Sequence, residues 1–218
     1  MSVDVSKPGA SVPVHRVRFV DWSPSAITAL ALSPVAWTES AAAGRSVLAI
    51  GRDNGNIDLC TWCEGQSGSI AQGWSPVWTL LGEENYKIES LAFTASASHL
   101  RLFSTSGGSI VSEHFLPSSL TGQQAADTRT PTRTLSSHGG AIWSMAASPT
   151  GKFLAIGCED GVVRLIDVAG DAFEHVGTGM HVAPRMTRVA SRILSLAWGP
   201  PRRQMATSND SDDDLSLI

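Results

Sequence analysis

Residues Ala141 to Asp167 read AIWSMAASPTGKFLAIGCEDGVVRLID. The stretch contains three short apolar runs, which Ser-Pro-Thr-Gly at 148–151 and Glu-Asp-Gly at 159–161 separate. An Asp-Gly pair supplies the positive φ that a tight hairpin needs, and the β-branched residues favour strands over a helix. The stretch therefore predicts an antiparallel meander.

Copies of this meander recur along the chain. Its first strand appears four times, as ITALALSP from Ile27, IESLAFT from Ile88, IWSMAASP from Ile142 and ILSLAWGP from Ile193. The turn glycines of the following strand pairs, Gly55, Gly108 and Gly161, are each 53 residues apart. A fixed period near 50 residues with several strands per unit predicts an all-β, WD-repeat β-propeller, present here as about three and a half blades. A β-sandwich is the alternative, because it also has turns at short intervals.

The chain divides into three predicted regions. Residues 1–13 form a polar lead-in, residues 14–208 form the partial propeller, and residues 209–218 form an acidic tail. His15 to Phe19 alternates in polarity, and we expect it to complete the last blade of a closed ring. Because closed propellers have four to eight blades, three and a half units predict a fragment of a longer propeller, which we expect to have seven blades.

Composition narrows the class of protein. The 218 residues are 42% hydrophobic and 17% charged, as is usual for a folded soluble protein, and no apolar run approaches the ~20 residues that cross a membrane. Three cysteines predict a reducing compartment without a disulfide framework. Without the four aspartates of the tail, at positions 210 and 212–214, the 20 acidic residues fall to 16 and match the 16 basic ones. No strong global field therefore attracts nucleic acid.

No catalytic, cofactor or metal constellation is evident in the sequence. Cys60 and Cys63 form a CxxC motif, but a zinc site needs two further ligands, and a redox pair is expected at a helix N-terminus rather than at the end of a strand. Phosphate-binding glycine loops and the G-x-S-x-G elbow are missing. We expect a non-enzyme with no cofactor and no small-molecule substrate.

Two groups of residues are the candidate sites. His138 and Asp160 occupy the positions of the histidine and the hairpin aspartate of a WD repeat, and we expect them to belong to the hydrogen-bond network that holds a blade together. Five arginines cluster around the fourth Ile-led strand, and arginine can bind phosphate with two hydrogen bonds. They are a candidate RNA or partner contact, against the alternatives of a solvated loop or an acidic protein partner: Arg185, Arg188, Arg192, Arg202 and Arg203.

The lead-in VHRVRFVDW, the four Ile-led strands, the strand pair LAIGRDNGNIDL and the late RILSLAWGPP together resemble the N-terminal propeller of the cirhin family. The resemblance covers most of residues 14–200 in the right order. It implies the WD-repeat subunit of the UtpA complex in the small-subunit processome, associated with the U3 small nucleolar RNA. The implied address is the nucleus and nucleolus, and the implied partners are other UtpA subunits, processome proteins and, as a candidate, pre-rRNA.

Three functional hypotheses follow. The first is a non-catalytic scaffold in ribosome biogenesis, which supports processing of pre-18S rRNA and touches its 5′ external transcribed spacer. The second is a generic WD-repeat adaptor, such as a ubiquitin-ligase substrate receptor. The third is an enzyme in which Cys60 and Cys63 perform thiol chemistry.

Overall fold

The computed structural model describes residues 25–34, 46–63, 73–82, 86–95, 100–116, 131–177 and 188–199. These residues form three antiparallel sheets of four strands, and in each sheet the spatial order of the strands is their order in the sequence. Three consecutive four-stranded meanders are the architecture of propeller blades, so the fold is all-β and is an incomplete WD-repeat propeller.

Each sheet is one blade and takes four consecutive strands of the chain. Blade 1 contains β1 (Ile27–Leu32), β2 (Val47–Arg52), β3 (Ile57–Cys63) and β4 (Gly73–Leu80). Blade 2 contains β5 (Ser90–Ala95), β6 (Leu100–Thr105), β7 (Ile110–Leu116) and β8 (Arg133–Ser136). Blade 3 contains β9 (Ile142–Ala147), β10 (Phe153–Cys158), β11 (Val163–Asp167) and β12 (Glu174–His175).

The central hairpin of blade 2 differs in register from its two copies. Gly51 pairs with Ile57 in blade 1, and Gly157 pairs with Val163 in blade 3. The corresponding pair in blade 2 is Thr105 with Val111, which is one residue later than the 53-residue period predicts. The glycine with positive φ in this turn is Gly107 (φ 70°), whereas the 53-residue period predicted Gly108 as the turn glycine. The pairing thus moves one residue later while the positive-φ glycine moves one residue earlier, so the turn of blade 2 has a different conformation, which two adjacent glycines permit.

The Ile-led segments connect successive blades. The amide of Ile88 donates to the carbonyl of Arg52 at 3.0 Å, and a Cβ on Gly51 would lie 2.6 Å from a methyl carbon of Ile88. The same arrangement recurs 105 to 106 residues later, where the Ile193 amide donates to Cys158 at 3.2 Å and Ile193 lies equally close to Gly157. Glycine is required at both positions because any side chain would occupy the volume of the isoleucine.

Each blade buries its faces against its neighbours. One core lies between blades 1 and 2 and includes Val47, Ile57, Leu59, Leu80, Phe93, Leu100 and Leu102. A second core lies between blades 2 and 3 and includes Phe103, Val111, Ile142, Leu154, Ile156 and Ile166. Leu100 and Leu102 belong to the first core and Phe103 to the second, because successive strand residues point to opposite faces. Blade 2 is therefore packed on both sides.

Most predicted strands agree with the structure, and the differences lie at the ends of the units. The fourth Ile-led segment, residues 193–198, was expected to begin a strand, but within the described residues it forms only an isolated bridge at Trp198. Its contacts run to blade 3, where Trp198 Nε1 donates to the Ala146 carbonyl at 3.0 Å. The lead-in 1–13, the closing strand His15–Phe19 and the tail 209–218 lie outside the described residues.

Candidate interaction surface

An exposed tryptophan and an arginine form a stacked pair beside blade 3. Trp143 is the second residue of β9, and its indole nitrogen donates to the Glu159 carboxylate. The guanidinium carbon of Arg192 lies 4.5 Å from the centre of the Trp143 ring, which is a cation–π contact. Both side chains are solvent-exposed. We name Trp143, Glu159, Asp160, Arg188 and Arg192 the arginine–tryptophan patch.

The turn between β10 and β11 anchors this patch. Arg188 Nε donates to the Asp160 carbonyl at 2.9 Å, and the Val189 amide donates to the Gly161 carbonyl at 2.9 Å. Gly161 has φ 76°, and a Cβ there would lie 2.2 Å from the Val189 carbonyl oxygen, so only glycine allows this close approach. The segment that carries Arg188 and Arg192 is therefore held against blade 3 by backbone hydrogen bonds.

His138 and Asp160 are brought together through a third residue, Arg164. The Asp160 carboxylate accepts from Arg164 Nη2 at 2.6 Å and from Nη1 at 3.0 Å, and Arg164 Nη2 also reaches the His138 carbonyl at 3.3 Å. The Arg164 hydrogen bond is the main cause that lowers the pKa of Asp160 below its ordinary value. The His138 backbone has φ 54°, and its ring lies 5.3 Å from the ring of His175. Sequence reasoning missed Arg164, although an i,i+4 Asp–Arg pair within a hairpin is visible in the sequence.

The five candidate arginines divide into two groups. Arg188 and Arg192 lie in the arginine–tryptophan patch, and both are exposed. Arg185, Arg202 and Arg203 lie outside the described residues. The Arg188 guanidinium is partly used by the Asp160 carbonyl, whereas the Arg192 guanidinium lies over the Trp143 ring.

A second arginine cluster, which the sequence did not reveal, is buried between blades 2 and 3. Arg101 is 1% exposed and Glu113 is 0% exposed, and Arg101 Nε donates to the Glu113 carboxylate. Arg133 donates to the same carboxylate at 2.5 and 3.1 Å. We name Arg101, Glu113 and Arg133 the buried charge cluster.

The buried charge cluster also binds the backbone of the next blade. Arg101 donates to the carbonyls of Val168, Gly170 and Ala172 at 2.6 to 2.8 Å, and Arg133 donates to the Asp171 carbonyl at 2.8 Å. Together with the Glu113 carboxylate, these carbonyls give every guanidinium nitrogen of the two arginines at least one acceptor, as a buried charge requires. The cluster thus fixes the connection between β11 and β12 onto blade 2.

The cysteine of the CxxC motif that the structure describes does not have the environment of a nucleophile. Cys60 is buried in β3, and burial, assisted by the nearby Asp58 carboxylate and opposed by Arg52, raises the pKa of its thiol. A reactive cysteine needs the opposite shift, because the thiolate is the nucleophile. The side chain of Cys63 is outside the described part of the structure.

Neither metal-ligand groups nor membrane spans occur in the described part of the chain. No cluster of three or more His, Cys, Asp or Glu side chains there could hold a metal ion. The same residues include no helix that is long and apolar enough to cross a bilayer.

A family model and a solved structure both match the WD-repeat fold described above. The family model for the WD domain, G-beta repeat, matches residues 129–167, which include β8 to β11. Among solved structures, the chain is similar to one from "Chaetomium thermophilum Polycomb Repressive Complex 2 bound to GSK126", with a TM-score of 0.52 and 16% identity over 70% of this chain and 31% of that one. At this identity the likeness concerns the fold alone.

Sequence relatives are closer. The chain is 33% identical to "U3 small nucleolar RNA-associated protein 4" of Saccharomyces cerevisiae over 85% of its length, and 34% identical to the protein of the same name of Schizosaccharomyces pombe over 84%. It is 30% identical to the Homo sapiens homolog over 90% of its length. The chain spans only 21 to 23% of the length of these relatives. Over most of its own length, then, this WD40-repeat chain is similar to proteins named as U3 small nucleolar RNA-associated.

Proposed function

We propose that the chain is a non-catalytic propeller segment of the cirhin family that works as a scaffold in ribosome biogenesis. In this role it holds UtpA and other processome proteins in the nucleolus while pre-18S rRNA is processed. The observation that carries the proposal is the 30 to 34% identity to U3 small nucleolar RNA-associated proteins over at least 84% of the chain.

The physical character of the described residues supports a scaffold. Several of their ionisable groups make structural contacts: Asp160 with Arg164, Arg52 with Asp58, and the members of the buried charge cluster with one another. Burial raises the pKa of the Cys60 thiol, which disfavours its thiolate at neutral pH. The groups that face solvent instead form contact surfaces of the kind found at protein interfaces, where Trp and Arg are enriched.

The arginine–tryptophan patch is the proposed contact with RNA or an acidic partner. Trp143 offers a ring face and edge, and Arg192 offers guanidinium N–H groups that can bind a phosphate or a carboxylate. Arg185, Arg202 and Arg203 belong to the same arginine-rich sequence and extend the proposal beyond the described residues. His138 and Asp160 are proposed to be structural, because Arg164 joins them within blade 3.

A tagged chain, captured from nuclease-treated nuclear extract and analysed by mass spectrometry, tests the scaffold proposal. We expect processome proteins to be recovered, because protein contacts survive nuclease treatment. Recovery of ubiquitin-ligase subunits without processome proteins would favour the adaptor hypothesis and contradict this one.

The RNA contact has its own test. Binding to an in vitro transcript of the 5′ external transcribed spacer is measured at several salt concentrations, for the wild type and for a variant with all five arginines replaced by alanine. Each lost phosphate contact should reduce the slope of log K against log salt by about 0.7 for single strands. Lys87→Ala, an exposed cation beside blade 1, is the control and should leave the slope unchanged. An unchanged slope in the five-arginine variant would assign the patch to a protein partner.

A further inference from the structure

A cavity of about 320 Å³ lies between blades 1 and 2, on the face of blade 2 that is opposite to the buried charge cluster. Its blade 1 wall is apolar and includes Ile57 and Leu80. Its blade 2 wall is formed by alternate residues of β7, Ile110, Ser112 and His114, which point to one face of the strand. The volume lies at the lower end of ligand pockets, roughly 300–1,000 Å³.

The polar groups of this cavity are uncharged hydrogen-bonding groups. Hydroxyls from Ser104, Ser112 and Thr134 line it together with the imidazole of His114, and none of the described lining residues is Asp, Glu, Lys or Arg. The Ser104 hydroxyl lies 2.9 Å from His114 Nε2. Burial lowers the pKa of His114 to about 4, so the imidazole is neutral at physiological pH and can both donate and accept. The cavity therefore suits a neutral ligand with one apolar part and one polar tip.

Exposed apolar side chains surround the opening of the cavity. Leu81, Tyr86 and Ile110 all line it, and all three remain solvent-exposed. Clustered exposed apolar residues at the rim of a pocket mark an interaction site more often than scattered ones do. They provide the apolar contact area that a bound segment would cover around an anchor residue in the cavity.

We propose that this interblade cavity binds a tyrosine side chain of a partner protein. A phenol ring matches the apolar wall of Ile57 and Leu80, and its hydroxyl can exchange hydrogen bonds with His114 and the neighbouring serines. Tyrosine is also a frequent anchor at the centre of protein interfaces. The proposal goes beyond the scaffold role and stands or falls independently of it, because it rests on the cavity alone.

The absence of charge among the described lining residues favours a peptide over a nucleic acid. Proteins that stack bases also place cations along the phosphates, because phosphate neutralisation supplies most of the affinity. Two described cations adjoin lining residues in the sequence, and both are ion-paired: Lys87 with Glu89 at 2.9 Å, and Arg133 with Glu113 on the opposite face of blade 2. Phosphotyrosine would bring a charge that none of the described lining residues can neutralise, so we expect it to bind more weakly than tyrosine.

The direct test is an NMR titration of the 15N-labelled chain with N-acetyltyrosinamide. We expect the amides of Gly55, Gly82 and Gly108, which line the cavity, to shift with a Kd on the order of 1 mM, as is reasonable for so small a ligand. N-acetyl-phosphotyrosinamide should bind at least about tenfold more weakly, because none of the described lining residues supplies a countercharge. Uridine and adenosine are titrated in the same way to test whether the cavity binds a nucleic-acid base instead.

Two variants locate the binding. Ile110→Asp places a charge at the cavity rim, and Ser112→Phe fills the cavity; each should weaken the tyrosine probe by about tenfold or more. Ile27→Asp is the matched control, because Ile27 is also the first residue of a strand and is 56% exposed, against 41% for Ile110, but it lies away from the cavity. It should bind as the wild type does.

Three results would overturn the proposal. The first is that the cavity amides do not shift at ~10 mM probe, well above the expected Kd. The second is that the nucleosides bind as tightly as the tyrosine probe, which would assign the cavity to a base. The third is that Ile27→Asp weakens binding as much as Ile110→Asp does, which would place the probe elsewhere.

Discussion

The two faces of blade 2 pack against their neighbouring blades in different ways. Toward blade 1, Ser104, Ser112 and Thr134 border a cavity whose described lining residues include no Asp, Glu, Lys or Arg. Toward blade 3, the neighbouring residues of the same strands, Glu113 and Arg133, join Arg101 in a fully hydrogen-bonded charge cluster that binds four carbonyls of the next blade. Since each strand contributes one residue to each face in turn, one alternating sequence encodes both interfaces.

This difference indicates that the two interfaces have different roles. A buried charge cluster is specific, because its hydrogen bonds are satisfied only when blade 3 is in one position. An interface with a cavity keeps the contact free energy of its hydrophobic core but leaves space for a ligand. We infer that the interface between blades 2 and 3 maintains the geometry of the molecule, and that the interface between blades 1 and 2 is the one available for recognition.

The largest expected effect comes from Glu113. Replacing it by alanine leaves Arg101 and Arg133 without their shared carboxylate, and breaking a buried ion pair from one side costs roughly 3–5 kcal/mol of unfolding free energy. Urea unfolding measures the loss. Glu89→Ala is the matched control, because its partner Lys87 is exposed and the pair contributes little. Equal losses in the two variants would show that the buried cluster does not stabilise the interface.

The next effect concerns the other face and depends on pH. Burial holds the pKa of His114 at about 4 in the folded chain, below its ordinary value of 6.5, so the unfolded chain binds more protons between these two values. The free energy of unfolding therefore falls as the pH is lowered from about 6.5 to about 4, by up to about 3 kcal/mol for this group. His114→Gln should lose this part of the pH dependence. Parallel curves for wild type and variant would contradict the burial of a neutral imidazole.

The third prediction tests the contact between blades 1 and 2 near its backbone. Gly51→Ala places a methyl group 2.6 Å from the side chain of Ile88, and such overpacking typically costs about 1–3 kcal/mol. Adding Ile88→Ala to the same chain should recover part of the loss, because it removes the clashing atoms. Gly108→Ala is the control, since a Cβ at this position would have no described atom within 4 Å and its φ is not positive. A similar loss at Gly108 would indicate a backbone effect instead of a clash.

Much of the fold could be predicted from the sequence, because the repeat is local. The strands β1 (Ile27–Leu32) and β9 (Ile142–Ala147) begin at the isoleucines of the predicted copies, and β9 ends at the predicted turn at 148–151. The one-residue shift in blade 2 could not be predicted, because Gly107 and Gly108 are both able to form the turn.

The buried charge cluster could not be predicted from the sequence, for a different reason. Arg101 is bound by carbonyls 67 to 71 residues away, so its burial depends on how blade 3 packs and not on its own strand. Glu113 and Arg133 are direct cross-strand partners, which is the one local signal of the cluster. Trp143 was also missed. It occupies the variable second position of the Ile-led strands, where the other three copies have Thr28, Glu89 and Leu194.

The smallest expected effect is a gain in the free energy of unfolding, and it concerns the face of blade 2 that meets blade 3. Thr105 pairs with Val111 and so occupies the strand position that Gly51 and Gly157 occupy in the other two hairpins. Its Oγ1 is buried and has no hydrogen-bond partner among the described residues. Thr105→Val should therefore raise the free energy of unfolding by about 1 kcal/mol, because it removes an unsatisfied buried hydroxyl and keeps the shape. Thermal and urea unfolding both report this gain.

Ser144→Ala provides the comparison for Thr105→Val. The Ser144 hydroxyl is also buried, but it donates to the Ile193 carbonyl at 3.1 Å, so its removal should lower the free energy of unfolding by about 1 kcal/mol. Opposite signs in the two variants would show that the hydroxyl at Thr105 is a net cost, which the register shift of blade 2 imposes on the interface with blade 3. A loss in both variants would mean that Thr105 Oγ1 is satisfied by a bound water, and that the shifted register carries no such cost.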